Sequence, residues 1–407
     1  MNCRHCKKEL IHVFLDLGYA PPSNAYLTIE DLRQPETTFP LKLFVCDGCW
    51  LVQTEDYAEA DELFSDTYAY FSSTSKSWLK HSQEYVEKIT SQLGLSTDSF
   101  VVEVASNDGY LLKNFVSKGI PCLGIEPTNS TADAAEKIGI TVLRKFFGVK
   151  TAEELVKINQ QADLICGNNV YAHVPDINDF TRGLEIILKP GGTINLEFPH
   201  LMRLIEKNQF DTVYHEHFSY LSLHTVCGIF KLSGLRIYDV EELSTHGGSL
   251  RIYGCRIDDP RPTSNVVTAM IEVEQGFGLQ NIDLYLNFQE KANKVKNDFV
   301  EFIIKQKKLG KTIAAYGAAA KGNTLMNYGG VKCDLIDFVC DAAASKQNMY
   351  MPGSHIPILH PSELSLRQPD WIVILPWNIS DEVVQQQNVA AWGGQFFVAV
   401  PHLRVIK

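Results

Sequence analysis

Hydrophobic positions in the middle of the chain fall into short runs separated by segments of helical spacing. Phe100–Val104, Pro121–Ile125, Asp163–Cys166 and Thr193–Phe198 are mostly apolar and predict strands of a parallel sheet. Between them, Tyr110–Lys118, Ser130–Ile138 and Asp179–Ile187 predict helices, and Trp78–Leu93 predicts another ahead of the first strand. Lys189-Pro-Gly-Gly192 reads as a turn before the last strand. Strands alternating with helices mean a doubly wound parallel sheet.

Upstream, Leu41–Val45 is a further strand. Downstream, Ser264 to about Leu309 is helical, with apolar positions in Leu284–Phe288 and Phe299–Ile304, and should connect two domains. Lys311–Thr324 then repeats the strand–turn–helix theme, followed by strands at Leu335–Cys340, Trp371–Leu375 and Gln395–Val400. This predicts a second, smaller α/β domain. No repeat of solenoid period and no low-complexity tract interrupts the pattern.

The chain has 407 residues, enough for two or three domains, with 45% hydrophobic and 21% charged positions. A net charge of −11 without a basic cluster argues against a nucleic-acid partner. No apolar stretch reaches membrane-spanning length, and the first residues lack a signal peptide's apolar region, so a cytoplasmic location is expected.

Ten cysteines are present, and four are paired by spacing: Cys3-x-x-Cys6 and Cys46-x-x-Cys49. Each pair places two thiolates on one tight turn, and two such turns can meet around one tetrahedral zinc. Four Cys without His point to a closed structural site. The 39 residues between the knuckles exceed the usual ribbon spacing and leave room for strands.

Functional chemistry concentrates at the carboxyl ends of the predicted strands. Phe100–Val104 runs into Ala105-Ser-Asn107-Asp-Gly109, a turn that should leave free N–H groups at a helix start. About twenty residues on, a short strand ends in Glu126, placed to accept hydrogen bonds from ribose hydroxyls. A nicotinamide dinucleotide needs G-x-G-x-x-G for its pyrophosphate, and Glu103–Gly109 holds one glycine between acids. S-adenosylmethionine, with a sulfonium and no phosphate, suits this turn better. The plain alternative is a turn with no ligand.

Asn168, Asn169 and His173 follow the third strand and lie at the same edge, where the two Asn are also simple turn formers. Asp66–Ser75, dense in hydroxyls and aromatics, is either a linker or a lid. Tyr214-His215-Glu216-His217 is the most chemically loaded segment. Its spacing is not that of the helical H-E-x-x-H zinc motif. It fits acid/base work: a neutral His accepts a proton, a carboxylate steadies it, and a Tyr donates to an oxyanion. An ordinary polar loop is the alternative. His246 sits beside a Gly pair as plausible pocket lining, and Lys321 meets a helix start as a phosphate candidate.

Assembled, these residues resemble a family of sugar C-methyltransferases that methylate carbon 3 of nucleotide-activated 4-keto deoxysugars. The likeness runs along essentially the whole chain. It rests on the Cys knuckles, Tyr-x-Tyr-x-Ser-Ser at Tyr68–Ser73, Glu-x-x-Ser-Asn-Asp-Gly at Glu103–Gly109 and Gly-Ile-Glu-Pro at Gly124–Pro127. It continues at Asn168–Pro175, Tyr214–Phe218, His246–Arg251, Tyr316–Thr324, Lys346-Gln347, Pro352-Gly353 and Pro376-Trp377-Asn378.

The resemblance implies a class I methyltransferase-like doubly wound sheet, preceded by a small zinc-binding domain and followed by a second Rossmann-like α/β domain. The implied division is 1–67, 68–300 and 301–407. It implies S-adenosylmethionine at Glu103, Ala105, Asn107, Gly109, Glu126, Asn168, Asn169 and His173, and one structural zinc at the four cysteines. His217 and Glu216 become the proton-handling pair, assisted by Tyr214 and Tyr68. Tyr70, Ser72, Ser73, His246, Lys321, Asn323 and Trp377 become contacts to a nucleotide-diphosphate 4-keto deoxysugar. A monomer or weak homo-oligomer is expected.

One departure stands out. Ala105 occupies a position the family fills with Gly, so φ is expected to be negative there. For His217 to share a side with Tyr214 and Glu216, extended geometry fails, and a bend near Glu216 is required.

Overall fold

The computed structural model describes residues 1–55 and 71–406. Tyr68, Tyr70 and the first half of the expected lid segment lie outside the described residues. In chain order the strands are β1 (His12–Ala20), β2 (Phe39–Val45), β3 (Val52–Thr54), β4 (Val101–Val104), β5 (Cys122–Ile125) and β6 (Val142–Leu143). Next come β7 (Ala162–Asn168), β8 (Leu188–Pro199), β9 (Ser219–Tyr220), β10 (Leu235–Leu243) and β11 (Ser249–Arg256). The last are β12 (Ile313–Tyr316), β13 (Val339–Cys340), β14 (Ile358–Leu359), β15 (Trp371–Ile374), β16 (Gln395–Val398) and β17 (Arg404–Ile406).

Among the described residues these strands form three sheets. The central one has the order β10-β11-β8-β7-β4-β5-β6. Strands β4 to β8 pair in parallel, whereas β11 runs antiparallel to both β8 and β10. This is the class I methyltransferase arrangement, and ligands of such sheets sit at the carboxyl ends of β4, β5 and β7. The β10–β11 pair has no counterpart in the expected strands. Leu243–Arg251, read above for its His and Gly pair, joins these two antiparallel strands.

Local sequence explains the flanking helices. In Lys76–Leu93, Ser75 accepts from the Trp78 N–H at the start, and Gly94 ends the helix at φ 63°. Its buried residues Ser82, Tyr85, Val86 and Ile89 lie three or four apart, on one face. The helix expected over Tyr110–Lys118 is reduced to Leu112–Val116, with no side-chain cap. The expected turn at Lys189–Gly192 lies within β8, where the register against β7 shifts.

The other two sheets flank the first. The N-terminal one has the order β1-β2-β3-β9, so two residues from the middle of the chain complete it. The third has the order β14-β13-β12-β15-β16-β17 and is parallel except at β17. Helix Phe288–Lys308 buries Phe288, Ala292, Val295, Phe299 and Ile303 along one stripe. That stripe belongs to one apolar core holding Phe14 and Leu43 of the N-terminal sheet and Val339 and Val373 of the third. Phe14 stacks on Phe288 with ring centres 4.9 Å apart. Each fully buried Phe contributes roughly 1.5–3 kcal/mol, so this contact ties the parts firmly. Among the described residues, no helix is long and apolar enough to cross a membrane.

Candidate active site

The turn after β4 is built from left-handed backbone. Ala105, Asn107 and Gly109 have φ of 56°, 50° and 77°. The negative φ expected at Ala105 is therefore overturned: Ala adopts the conformation that its Gly counterpart would take freely, at a cost near 1–2 kcal/mol. Gly109 has a second reason to be Gly, because a Cβ there would come 2.2 Å from Ile140. The N–H groups of this turn are not free as expected. Asn107 N–H donates to Glu126 Oε2 at 2.9 Å, and Gly109 N–H to the Ser106 carbonyl at 3.1 Å.

Polar ligation at this edge therefore comes from side chains. Glu126, nearly buried, also accepts from Thr128 N–H at 3.0 Å, which leaves lone pairs on both its oxygens. Burial pushes the Glu103 carboxyl well up, against a hydrogen bond from Tyr110. Asn168, at the end of β7, is 8% exposed, and its amide has no partner among the described residues. Buried carboxylates and an amide without a partner among the described residues, beside this turn, fit a ligand with hydroxyls and an amino acid end. Ser72 and Ser73 close one side of it. Their N–H groups donate to Asn107 Oδ1 at 2.9 Å and Asp108 Oδ2 at 3.0 Å.

The bend required by the second motif is present. His217 N–H donates to the Tyr214 carbonyl at 3.0 Å, closing a turn over His215 and Glu216. The turn brings the His217 ring 4.0 Å from Tyr214 and 4.6 Å from His173. His215 faces away, against Phe39 of β2, with ring centres 6.0 Å apart. The expected pairing of Glu216 with His217 is not made. His217 Nδ1 lies 3.0 Å from the Thr212 carbonyl, so Nδ1 carries the hydrogen and Nε2 the lone pair. The Glu216 carboxyl instead accepts from Asn24 Nδ2 at 3.1 Å, while its main-chain carbonyl accepts from His173 Nδ1 at 2.7 Å. In a tight turn neighbouring side chains diverge, which sequence adjacency hides.

Electrostatics keep these rings neutral. Burial, aided by the nearby His173, His246 and Lys321, holds His217 well below the ordinary histidine range. Burial holds His173 at about 4, and burial with Lys321 holds His246 at about 4. His217 is thus a neutral acceptor near pH 7.

All three parts of the chain brace the turn. On its leading side, Thr324 Oγ1 of the third part donates to the Val213 carbonyl at 2.7 Å. On its trailing side, β9 starts two residues after His217 and pairs with β3 of the N-terminal sheet.

A second wall went unrecognised in the sequence. Glu197, fully buried near the end of β8, accepts from Arg251 at 2.7 Å and Thr245 at 2.8 Å, with His81 at 2.9 Å. Burial alone would raise its carboxyl, but these partners bring it to about 2. The wall holds His246, whose Nε2 lies 2.9 Å from the Asn169 amide. The only sequence signal was a lone acid inside the apolar run Thr193–Phe198.

The third sheet contributes the remaining groups. Lys321 Nζ donates to Asn378 at 2.7 Å and lies 4.8 Å over the Trp377 ring. Trp377 Nε1 donates to buried Asp211 at 2.7 Å, and a Cβ on Gly247 would come 2.5 Å from the same ring. Burial raises Asp211 to about 6, against the pull of Lys321. Asn323 is fully buried and donates to the Ser23 carbonyl at 2.6 Å, so its amide serves the N-terminal loop. Asp341, after β13, repeats the Glu126 device: it accepts from Ala318 N–H at 2.7 Å and Ala343 N–H at 2.8 Å.

The four knuckle sulfurs lie within 4.8 Å of one another, with Cys3–Cys49 and Cys6–Cys46 at 3.5 Å. A tetrahedral zinc with bonds of about 2.3 Å places sulfurs about 3.8 Å apart, so this set fits. Gln53 Nε2 donates to Cys3 Sγ at 3.2 Å and orients it.

Comparison with known proteins agrees. Residues 3–64 match a family described as a zinc binding domain, 78–240 a methyltransferase domain, and 244–401 a C-methyltransferase C-terminal domain. C-methyltransferase NovU of Streptomyces niveus is 33% identical over 407 residues, spanning 100% of this chain and 97% of that protein. Among solved structures, magnesium protoporphyrin IX methyltransferase of Synechocystis PCC 6803 with bound S-adenosylmethionine aligns at 12% identity and TM-score 0.36. It covers 50% of this chain and 100% of its own. An S-adenosylmethionine-dependent methyltransferase of Clostridium acetobutylicum aligns at 13% and 0.35, covering 43% and 91%. Neither structural alignment is close enough to carry weight. The full-length relative and the three matched families do, and the chain belongs to the S-adenosylmethionine-dependent C-methyltransferase family.

Proposed function

We propose that the enzyme methylates carbon 3 of a nucleotide-activated 4-keto-6-deoxysugar, and that the sugar reacts through its enolate. The observation that carries this reading is the His217 ring: neutral, its Nδ1 committed to Thr212, the ring packed beside Tyr214 and His173. A ketone at carbon 4 acidifies the proton on carbon 3. His217 Nε2 takes that proton, and the Tyr214 hydroxyl donates to the oxygen on which charge collects. S-adenosylmethionine, held by Glu103, Glu126, Asn168 and the Ala105–Gly109 turn, supplies the methyl group. Tyr68 and Tyr70 are assigned to the sugar side of the site.

The nucleotide end is assigned to the third sheet. Helix Ala320–Gly329 starts with no side-chain cap, and its first turn carries Lys321. An uncapped helix start with a cation suits a diphosphate. Trp377 and His246 line the path between the two ends. The division 1–67, 68–300 and 301–407 is kept as part of this proposal, with β9 reaching across its first boundary and helix Phe288–Lys308 across its second. A cytoplasmic location suits an enzyme using nucleotide sugars.

The test is incubation with a panel of 4-keto-6-deoxy nucleotide sugars and methyl-labelled S-adenosylmethionine. Label on carbon 3 supports the reading. Label on a sugar oxygen, or none with any member of the panel, overturns it.

A further inference from the structure

The zinc-binding part does more than carry a metal. Its knuckles flank one end of the β1–β2 hairpin, since Cys6 precedes β1 and Cys46 follows β2. The loop at the opposite end, roughly 25–30 Å away along nine strand residues, reaches the active site. There Asn24 Nδ2 donates to Glu216 Oε1 at 3.1 Å. Glu216 is 1% exposed, and its carbonyl sets the hydrogen position on His173.

The same loop is fixed on its other side to the third part of the chain. The Ser23 carbonyl accepts from Asn323 at 2.6 Å, and Tyr26 Oη donates to the Ala318 carbonyl at 2.5 Å. Leu27 and Tyr350 exchange both backbone hydrogen bonds, at 3.0 and 2.8 Å. Ala318 lies just before the helix start that carries Lys321. Asn24 is therefore held by the nucleotide end while it holds the catalytic turn.

We propose that Asn24 is a positioning residue for methyl transfer: its amide latches the Glu216 carboxyl and so fixes the turn that presents His217 and whose carbonyl orients His173. This assigns Glu216 a role through its carboxyl's anchoring and its carbonyl's hydrogen bond, without a proton transfer to His217. Burial pushes the Glu216 carboxyl above its usual range, and its own main-chain N–H, then the side chain and main-chain N–H of Asn24, pull it back. The inference rests on His217 being the base.

The experiment is steady-state kinetics on full-length enzyme with an accepted 4-keto-6-deoxy nucleotide sugar, beside carbon 3 exchange in deuterated water. Asn24→Leu should lower kcat and exchange by about 10- to 100-fold, the cost of an ångström-scale misplacement. Sugar KM and cofactor Kd should stay within about twofold. Glu216→Gln keeps an oxygen acceptor and should retain most activity. Glu216→Ala, which also removes the acceptor of main-chain N–H groups, should lose at least as much as Asn24→Leu, and the double variant should be no worse than Glu216→Ala, since the latch is already broken there. Asn24→Asp keeps the shape without the donor and should behave as Asn24→Leu does.

A wild-type kcat in Asn24→Leu, a loss confined to KM, or full additivity with Glu216→Ala overturns the proposal. If His217→Ala exchanges at the wild-type rate, the catalytic reading itself has failed. If His217→Ala is inactive while Asn24→Leu is normal, only the latch has failed.

Discussion

Glu126 offers the sharpest perturbation of the cofactor end, because its observed bracing of the turn and its proposed contact to the ribose are separable. In the free protein its oxygens accept from Asn107 N–H at 2.9 Å and Thr128 N–H at 3.0 Å. Glu126→Ala leaves both donors without that acceptor. A buried donor left unpaired costs about 1–3 kcal/mol, and water entering the vacated space recovers part of it. Folding stability should therefore fall by about 2–4 kcal/mol, read from urea unfolding. The second job is the hydrogen bond to a ribose hydroxyl, worth roughly 1.5–3 kcal/mol for a charged acceptor. Cofactor affinity should drop roughly 10- to 150-fold by calorimetric titration. A looser turn could lower affinity indirectly, so the deciding arm uses a cofactor analogue lacking ribose hydroxyls. Wild type should lose affinity for the analogue, and Glu126→Ala should bind both compounds alike. If Glu126→Ala discriminates between them as strongly as wild type, the carboxylate is a brace and the ribose lies elsewhere.

Two further outcomes follow from the same structure. Cys46→Ser should lower zinc content and stability together, and should also lower turnover, because β3 of the zinc-binding part pairs with β9 beside His217. Metal analysis finding no zinc in unchelated wild-type protein would contradict the site. Stability should fall as pH drops from about 6.5 towards 4. His173 and His246 at about 4, and His217 well below its usual range, bind protons later in the folded state than in the unfolded one. Asp211, raised to about 6, and Glu103 and Glu216, also raised by burial, work in the opposite direction, but four lowered histidines, His215 included, outweigh three carboxylates. A urea midpoint unchanged between pH 7 and 5 would contradict this balance.

Elements whose pattern is local were legible in the sequence. The buried strands β4, β5, β7 and β8 announced themselves as apolar runs, and the Cys knuckles by spacing. The β10–β11 hairpin did not, because its connecting residues drew attention for their chemistry and its strands lack a parallel-sheet signature. Ala105 shows the limit of propensity. The surrounding turn, with Asn107 bonded to Glu126, imposes a backbone that Ala alone would avoid. The site's partners were harder still. Asn24 lies 192 positions from Glu216, and Asp211 166 from Trp377, so nothing local marks either pair. The Glu216–His217 pairing failed for the converse reason: adjacent residues in a tight turn point apart.

The central claim is that His217 generates the nucleophile by removing the carbon 3 proton. The most direct measurement leaves methyl transfer out. The enzyme is placed in deuterated water with a 4-keto-6-deoxy nucleotide sugar and S-adenosylhomocysteine, and deuterium at carbon 3 is followed by NMR. Wild type should incorporate deuterium at that carbon alone. His217→Ala should be slower by about 10²–10⁴-fold, the usual contribution of a positioned base, while cofactor affinity holds. His215→Ala, facing Phe39, should exchange normally. Exchange at the wild-type rate in His217→Ala, or its loss in His215→Ala alone, would contradict the account.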